Sequence, residues 1–369
     1  MKNCTKSILV PINLLFFIVM FSCIEPGENE TVDGLNDYPK EIAGIIYSKS
    51  KDFPNKTQIS IAVTQDGKTN YYGIIKENGI IRSIENQDKI FEIGSLTKVL
   101  TSTVLALLEE EKKIKLTDYI NTYYPFTFND GPKITFESLA NHTSGLPRLP
   151  ENLDLSYEAN PYKNYGKIEL EEFLENLLKL QSEPLKSYTY SNLGPGLLGY
   201  TLGLSQKISF SELLQKKIFD KYGMTSSFTS PQNLENHLVK GLNTKGETVP
   251  NWDFDVLLGG GGILSTTEDL TKFAKAQFNP QNLALTLTRS PTFEINDKMK
   301  IGLGWHILKS GKGQELIWHN GGTGGYTSSM AVDIEGDISI IILSNVSAFN
   351  PKMGNIDDLC FGLIALLEK

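Results

Sequence analysis

The sequence predicts an α+β protein, an α/β sandwich in which helices flank one antiparallel sheet built from both ends of the chain. Two observations predict it. Strand-like runs occur near residue 60 and again after residue 300, and the chain between them is mainly helical in pattern. The runs are short and separated by turn residues, which favours hairpins over parallel crossovers. The simplest assembly inserts the helical middle into the sheet as a subdomain.

The first strands follow a helix predicted over 38–51. Residues 58–64 alternate in a strand pattern, Asp66-Gly67 is a tight-turn signal, and 69–75 pairs back as a hairpin. The later strands are predicted over 302–308, 315–319, 327–333 and 339–343, and an apolar helix over 356–367 ends the chain. We therefore predict an α/β part over about 39–94 and 285–369, and a helical subdomain over about 95–284.

The middle of the chain carries helical patterns over 169–178, 193–204, 210–219 and 267–278. Four glycines, 259–262, precede Ser265-Thr266-Thr267-Glu268, which is a capping-box pattern. The glycine run lacks the Gly-Lys-Ser/Thr ending of a phosphate loop, so close backbone packing is its expected role.

The N-terminus has the pattern of a secretory signal. Lys2 and Lys6 precede an apolar run over 8–21 that is short for a membrane span. Ser22-Cys23 resembles a bacterial lipoprotein cleavage site, so residues 1–22 are predicted to be removed and Cys23 lipidated; a plain signal peptide or an uncleaved anchor are the alternatives. Residues 23–38 are an acidic, flexible tether. We expect an exported protein of the bacterial cell envelope, periplasmic or held on the membrane by a lipid.

Composition excludes several classes of function. The net charge is −8 and no basic patch stands out, so no nucleic-acid partner is expected. Neither the three cysteines nor the four histidines have metal-ligand spacing, so no metal and no cofactor are predicted. Cys360 lies in the last apolar helix and is expected to be a buried thiol.

Ser95 and Lys98 head a strongly helical run, where residues three apart share a face. A lysine activates a serine hydroxyl only if burial or positive charge lowers its pKa, and the apolar run behind Lys98 would bury it. Ser-x-x-Lys is a loose pattern: Ser48 and Lys51 repeat it in a lysine-rich segment with no apolar helix behind it.

Such a serine needs a second proton-handling group and a place for the substrate. Tyr190-Ser191-Asn192, at a small-residue helix start, is the best candidate for the first; Tyr119 and Tyr162 also begin Tyr-x-Asn patterns. For the second, 318–328 is a glycine-rich strand edge along which a substrate backbone could lie. His319 there offers a proton or a cation, or it packs on Trp318.

Together, Ser95-x-x-Lys98, Tyr190-x-Asn192 and His319-x-Gly321 resemble the serine β-lactamase and penicillin-binding protein superfamily. The likeness covers roughly 40–367 and is strongest to class C β-lactamases and the related serine hydrolases, the D-aminopeptidases and β-lactamase-fold esterases. It implies a β-lactamase/transpeptidase-like fold. It also implies a small-molecule or peptide substrate: a β-lactam, a D-amino-acid peptide or an ester.

The resemblance also implies roles. Ser95 would be the acylated nucleophile, Lys98 its base, and Tyr190 the group that relays protons and activates the deacylating water. The oxyanion hole would be the N–H groups of Ser95 and Gly322. The implied substrate-binding residues are Asn192, His319, Asn320, Gly321 and Asn350. His142 is expected to cap and pack the turn that follows it.

One departure matters. Class C β-lactamases and penicillin-binding proteins usually carry Lys-Thr/Ser-Gly where this chain has His319-Asn320-Gly321, and Lys309-Ser310-Gly311 lies in a predicted turn instead. A histidine is mostly neutral at pH 7, so it attracts a substrate carboxylate less than lysine does. The expected function is an exported serine hydrolase acting on an amide, β-lactam or ester. A carboxylesterase and a penicillin-binding or sensor protein without turnover are the alternatives; an α/β-hydrolase is excluded because Gly-x-Ser-x-Gly is absent.

Overall fold

A computed structural model describes residues 34–156 and 159–368. The predicted signal peptide, Cys23 and most of the tether lie outside the described residues. The α-helices are α1 (Lys40–Ser50), α2 (Thr97–Glu110), α3 (Phe136–Ala140), α4 (Lys167–Glu172), α5 (Leu193–Gln206), α6 (Phe210–Leu214), α7 (Asp220–Tyr222), α8 (Thr267–Gln277), α9 (Leu283–Arg289) and α10 (Asn355–Leu367). The strands are β1 (Gln58–Gln65), β2 (Lys68–Glu77), β3 (Ile80–Ile84), β4 (Phe91–Glu92), β5 (Leu264–Ser265), β6 (Phe293–Asn296), β7 (Met299–Ile301), β8 (His306–Lys309), β9 (Glu315–Gly322), β10 (Thr327–Asp333) and β11 (Ile338–Ser344).

One antiparallel sheet of nine strands joins the two ends of the chain. Its order is β3-β2-β1-β11-β10-β9-β8-β7-β6, and β1 lies beside β11 with Ile61 opposite Ile342. A separate pair, β4 and β5, leads into the segment that carries Ser95. The predicted fold class is confirmed: strands from both ends form one sheet, and mainly helical chain lies between them in sequence.

Both faces of the sheet are buried, so its central strand is apolar throughout. In β11, Ile340 and Ile342 pack with α1 and α10, whereas Ile341 and Leu343 belong to the larger core that contains α2. Adjacent side chains of a strand point to opposite faces, so a continuous apolar run indicates a strand covered on both sides. The result is helix, sheet and helix in three layers.

Helix α2 lies in the larger core and is buried over twelve of its fourteen residues, Thr97 to Leu108. A helix that is apolar on all sides is stable only in such a position. Because Lys98 is the second residue of α2, its side chain is enclosed together with the helix. Ser95 precedes α2 in a 3-10 turn, Gly94–Leu96, and is the only partly exposed residue of 91–100.

Some strand predictions were wrong. A strand was predicted over 302–308, but it begins only at His306. The residues Gly302–Trp305 form a turn instead, with Gly304 at a φ of +79°. The hairpin of β6 and β7, and the edge strand β3, were not predicted. Their exposed residues, such as Glu294 and Lys300, break the apolar pattern on which strand prediction relies.

The predictions for Cys360 and for the glycine run are confirmed. Cys360 is a fully buried free thiol. The glycine run packs closely on α5: a Cβ on Gly259 would lie 2.5 Å from the carbonyl oxygen of Pro195. Across 34–156 and 159–368, no helix has the length and apolarity to cross a membrane. The same residues contain no group of His, Cys, Asp or Glu side chains placed to hold a metal.

Candidate active site

Ser95 and Lys98 are in direct contact. The Nζ of Lys98 lies 2.8 Å from Ser95 Oγ, and it donates a hydrogen bond of 2.5 Å to the carbonyl oxygen of Gly260. The 3-10 turn before α2 places the serine one turn below the lysine, as the three-residue spacing predicts. The contact with Gly260 was not predicted, and it fixes the amine beside the hydroxyl.

Burial lowers the pKa of Lys98 well below its ordinary value, and the positive charge of Arg148 lowers it further. The side chain is completely enclosed. Desolvation penalises an ammonium ion, so the neutral amine is favoured. A neutral amine 2.8 Å from a serine hydroxyl is able to accept its proton.

Tyr190 lies beside this pair. The Nζ of Lys98 is 5.1 Å from the centre of its ring, and the guanidinium carbon of Arg148 is 5.4 Å from the same centre. Burial raises the pKa of Tyr190 to about 12, although a hydrogen bond with Ser95 and the charge of Arg148 act in the opposite direction. The phenol is therefore protonated at neutral pH and able to donate.

Three of the four histidines surround the lysine. His142 stacks on Tyr190 with ring centres 4.4 Å apart, and His319 lies 5.2 Å from His306. Nε2 of His306 is 2.9 Å from the hydroxyl of Tyr188, whose ring lies 5.8 Å from that of His142. These aromatic side chains therefore pack against one another around Lys98. The Nδ1 of His142 accepts a hydrogen bond of 3.2 Å from the N–H of Ser191. The expected capping of the turn after His142 stays a prediction.

The sequence left open whether His319 supplies a proton or a cation, and its surroundings disfavour the charged form. Burial, together with the neighbouring His306 and Lys98, holds the pKa of His319 well below its usual 6.5. Its Nδ1 lies 2.6 Å from the carbonyl oxygen of Asn320, and its Nε2 is buried with no partner among the described residues. His319 is therefore a neutral imidazole that packs against Tyr190 and His306.

The N–H groups of Ser95 and Gly322 lie where two backbone segments touch. A Cβ on Gly94, at a φ of +51°, would lie 2.5 Å from the nitrogen of Gly322, and one on Gly321 would lie 2.8 Å from that of Ser95. Both positions therefore require glycine. The close approach brings together the two donors named from the sequence.

The register of β9 directs the Gly322 donor. Gly322 lies opposite Thr327, and the next pair is joined by a 2.9 Å bond from the Thr323 N–H to the Tyr326 carbonyl. Hydrogen-bonded and non-bonded pairs alternate in an antiparallel ladder, so the Gly322 N–H points away from β10. Pairing of β9 with β8 ends at Trp318, which leaves this edge of β9 open.

Not every predicted substrate-binding residue reaches the cleft with its side chain. The amide of Asn320 donates a 2.7 Å hydrogen bond to Asp357 of α10, on the opposite face of the sheet from Ser95. Because side chains alternate along a strand, only the backbone of Asn320 is available on the open edge. The side chain of Asn350 accepts a 2.8 Å hydrogen bond from the N–H of Lys352 in its own turn.

A cleft with about 290 Å³ of empty space opens at Ser95. The residues that line it are Ser95, Tyr162, Asn192, Trp252, Phe254, Leu257, Gly260, Gly261, Gly322 and Thr323. Asn192 has a buried Oδ1 without a partner, and Nε1 of Trp252 is buried and unpartnered as well, among the residues that the structure describes. These two atoms are available to a bound molecule.

Three aromatic side chains form one wall of the cleft. Tyr162 stacks on Phe254 with ring centres 4.4 Å apart, and Trp252 lies 5.4 Å from Tyr162. We call Tyr162, Trp252 and Phe254 the aromatic wall. None of them was predicted as a site residue, and the Tyr-x-Asn pattern at Tyr162 pointed to a different role. The one available signal was two aromatic residues, 252 and 254, in an otherwise polar loop.

Glu92 connects this wall to the strand that leads into Ser95. Its Oε1 accepts hydrogen bonds of 2.7 Å from the amide of Asn251 and 2.8 Å from the N–H of Trp252. Burial raises the pKa of Glu92 to about 7, although these bonds act to lower it. This buried carboxyl was also not predicted.

The site geometry can now be set beside known proteins. A family model described as Beta-lactamase matches residues 54–359, which is most of the chain. The chain belongs to the β-lactamase family.

Two curated members of the family show how low the sequence identity to known relatives is. A β-lactamase of Pseudomonas fluorescens is 26% identical over 259 residues, which is 68% of this chain and 69% of that protein. The D-alanyl-D-alanine-carboxypeptidase/endopeptidase AmpH of Escherichia coli K12 is 26% identical over 301 residues, 74% of this chain and 76% of that protein. A β-lactamase and a carboxypeptidase/endopeptidase are thus equally distant from this chain in sequence identity.

Solved structures support the fold. The β-lactamase/D-alanine carboxypeptidase of Pseudomonas syringae aligns with a TM-score of 0.72 at 21% identity, over 89% of this chain and 99% of that one. The predicted β-lactamase/transpeptidase-like fold is confirmed.

Proposed function

We propose that the protein is a serine hydrolase that forms an acyl-enzyme on Ser95 and acts on an amide, a β-lactam or an ester. The observation that carries the proposal is the enclosed Lys98 amine, whose pKa burial lowers, 2.8 Å from the partly exposed Ser95 hydroxyl. An exposed serine in contact with a desolvated base is the arrangement that a nucleophile requires.

Acylation follows from the positions of these groups. Lys98 Nζ takes the proton of Ser95 Oγ as the oxygen bonds to the substrate carbonyl carbon. The carbonyl oxygen becomes an oxyanion, stabilised by the N–H groups of Ser95 and Gly322. When the intermediate collapses, the bond to the leaving group breaks. Tyr190, protonated at neutral pH, passes a proton to the departing nitrogen or oxygen and is reprotonated from Lys98.

Deacylation uses the same groups with water. Tyr190 passes its own proton to the Lys98 amine as it accepts one from the water that attacks the ester of Ser95. Lys98 then returns that proton to Oγ, which leaves as the serine hydroxyl. Since the pKa of Tyr190 is raised to about 12, the tyrosinate is costly to form and the lysine must share the proton. This step decides whether the protein turns over or remains acylated.

The neutral His319 favours ester or peptide hydrolysis over efficient β-lactam hydrolysis. A β-lactam carries a carboxylate, and the strand at 319–321 offers no positive charge to it. A carboxylesterase is the form of the proposal that this observation favours. A penicillin-binding protein without turnover would have the same acylation step and a blocked second step.

The test is intact-protein mass spectrometry of residues 24–369 after mixing with a β-lactam and, separately, with 4-nitrophenyl acetate. We expect a lasting adduct from the lactam and rapid release of nitrophenol from the ester, with neither in Ser95→Ala. A lactam adduct that clears with hydrolysed product would mean a β-lactamase. A lasting adduct from both would mean a protein without turnover. Adducts that persist in Ser95→Ala, or none in the parent protein, would reject the proposal.

We also propose export and a lipid anchor at Cys23, on the strength of the sequence pattern at 1–23. The protein expressed from its full sequence in a bacterium should fractionate with membranes, and Cys23→Ser should release it or leave it unprocessed. Equal amounts of both in the soluble fraction would reject the anchor.

A further inference from the structure

Arg148 lies next to Tyr190 and has no counterion among the described residues. Its guanidinium carbon lies 5.4 Å from the ring centre of Tyr190. Within 34–156 and 159–368 this guanidinium forms no ion pair and donates no hydrogen bond. Arginine offers five donors in a fixed fork, so an arginine that uses none of them in a folded protein is available to a ligand.

The backbone holds Arg148 in place. Its carbonyl oxygen accepts hydrogen bonds of 2.9 Å from the N–H of Asn192 and 3.2 Å from that of Leu193. These bonds tie the residue to the start of α5, directly after Tyr190. The backbone of Arg148 therefore keeps a fixed position relative to Tyr190 and Asn192.

No neighbouring group cancels the charge. The ionisable side chains that sense Arg148 are Lys98, His142, Tyr162, Tyr188 and Tyr190. Burial lowers the pKa of Lys98 and His142 and raises that of the three tyrosines, so none of the five carries a negative charge near pH 7 that could pair with Arg148. An uncompensated charge beside a partly dry cleft attracts anions more strongly than the same charge in bulk water.

Strand β9, which was expected to bind an anion at residues 319–321, carries no uncompensated positive charge. His319 is neutral, and the amide of Asn320 is engaged by Asp357 on the far face of the sheet. We propose that Arg148 binds a carboxylate of the substrate, so that this site selects acidic esters or amides over neutral ones of the same size. This inference rests on the proposed hydrolase function and assigns its substrate class.

The test compares matched esters in the parent protein and in Arg148→Gln. The mono-4-nitrophenyl ester of succinic acid carries a carboxylate on the acyl side, and 4-nitrophenyl butyrate is its neutral partner. A second pair, 4-butyryloxybenzoate and phenyl butyrate, places the carboxylate on the leaving group. The measured quantity is the ratio of kcat/KM for the acidic ester to that for the neutral ester.

We expect Arg148→Gln to lower this ratio roughly 10- to 100-fold in one of the two pairs, as for the loss of a hydrogen bond to a charged group. The affected pair identifies the side on which the carboxylate lies. Arg148→Lys should retain part of the ratio, because it keeps the charge without the fork. In the parent protein, added salt should raise KM for the acidic ester more than for the neutral one.

The control is Arg82→Gln, in the edge strand β3, where the arginine pairs with Glu77. This variant should leave both ratios unchanged. If Arg148→Gln slows the acidic and neutral esters of both pairs equally, or slows none of them, the inference is rejected while the hydrolase function stands. If the parent protein forms no acyl-enzyme on Ser95 with any of the four esters, the proposed function itself has failed.

Discussion

The two sides of Ser95 differ in how accessible their side chains are to solvent. On one side, the rings of Tyr190, His142, His306 and His319 pack against one another around Lys98. We call these five residues the basic side. Lys98, His142 and His319 are almost fully inaccessible to solvent. On the other side the aromatic wall is partly open, since Trp252 and Phe254 remain accessible to solvent. The serine lies at the boundary between a dry half-site and an open one.

This difference separates two requirements of the chemistry. A lysine serves as a base only where water is excluded, so the basic side is rigid and buried. A substrate must enter, so the other side stays partly accessible to solvent at Trp252 and Phe254. Changes on the basic side should therefore affect all substrates equally, whereas changes in the wall should affect each substrate differently.

The largest effect is expected for Lys98→Ala. The base that takes the serine proton is lost, so kcat/KM should fall about 10³- to 10⁴-fold for every substrate, at the upper end of what general-base catalysis contributes. Stopped-flow acylation with 4-nitrophenyl acetate and with a bulkier ester measures it. The control is Lys89→Ala, which removes a surface lysine paired with Asp88 and should change little. A loss of less than tenfold would show that another group accepts the proton.

Tyr190→Phe should have the next largest effect, on deacylation rather than acylation. The phenyl ring keeps its stacking on His142 and loses only the hydroxyl. We expect the deacylation rate to fall about 10²-fold and acylation to fall less. Separate burst and steady-state phases measure the two steps. Tyr188→Phe is the matched control, since its hydroxyl contacts His306 at the back of the site. Equal losses in both steps would argue against a role with the water.

The sequence predicted the basic side better than the wall, for a physical reason. Ser95 and Lys98 lie within one helical turn, so their contact follows from local geometry. Tyr190 was named from the small-residue helix start that follows it, whereas its role and the Gly322 donor came from resemblance to a family. The sequence did not show how far the pKa of His319 is lowered. That shift depends on burial and on the neighbouring His306 and Lys98, and neither can be read from the residue itself.

The wall could not be predicted because its members converge from loops. Tyr162 comes from the chain before α4, and Trp252 and Phe254 come from the chain before the glycine run. No periodic pattern marks such residues, and their contacts depend on long-range packing. The same holds for the Gly260 carbonyl that fixes Lys98. The sheet was easier, since alternating or continuous apolar runs in β1, β10 and β11 specify strands, whereas the polar hairpin of β6 and β7 does not.

Trp252→Ala tests whether the aromatic wall affects bulky and small substrates differently. Removing the indole takes apolar surface from the wall, so kcat/KM for 4-nitrophenyl phenylacetate should fall roughly 10-fold, and that for 4-nitrophenyl acetate much less. Trp252→Phe keeps an aromatic ring and should retain most of the activity. Thermal unfolding of each variant shows whether the wall remains folded. If both esters lost activity equally, Trp252 would act on the basic side and the division proposed here would be wrong.

Glu92 tests the link between the two sides, and its effect is the smallest. Its pKa is about 7 in the folded protein against 4.5 as the ordinary value, so between those pH values the folded state holds a proton that the unfolded state has lost. Stability from this group is therefore present at low pH and is lost as pH rises through 7. Between pH 6 and 8 the free energy of unfolding should fall by about 1 kcal/mol more in the parent protein than in Glu92→Gln. Glutamine keeps an acceptor for Asn251 and Trp252 and does not titrate. Urea unfolding at several pH values measures the difference, and Glu77→Gln, on the exposed strand β2, is the control. Parallel curves for the parent protein and Glu92→Gln would mean that Glu92 does not change its protonation between pH 6 and 8 in the folded protein, which would contradict the prediction.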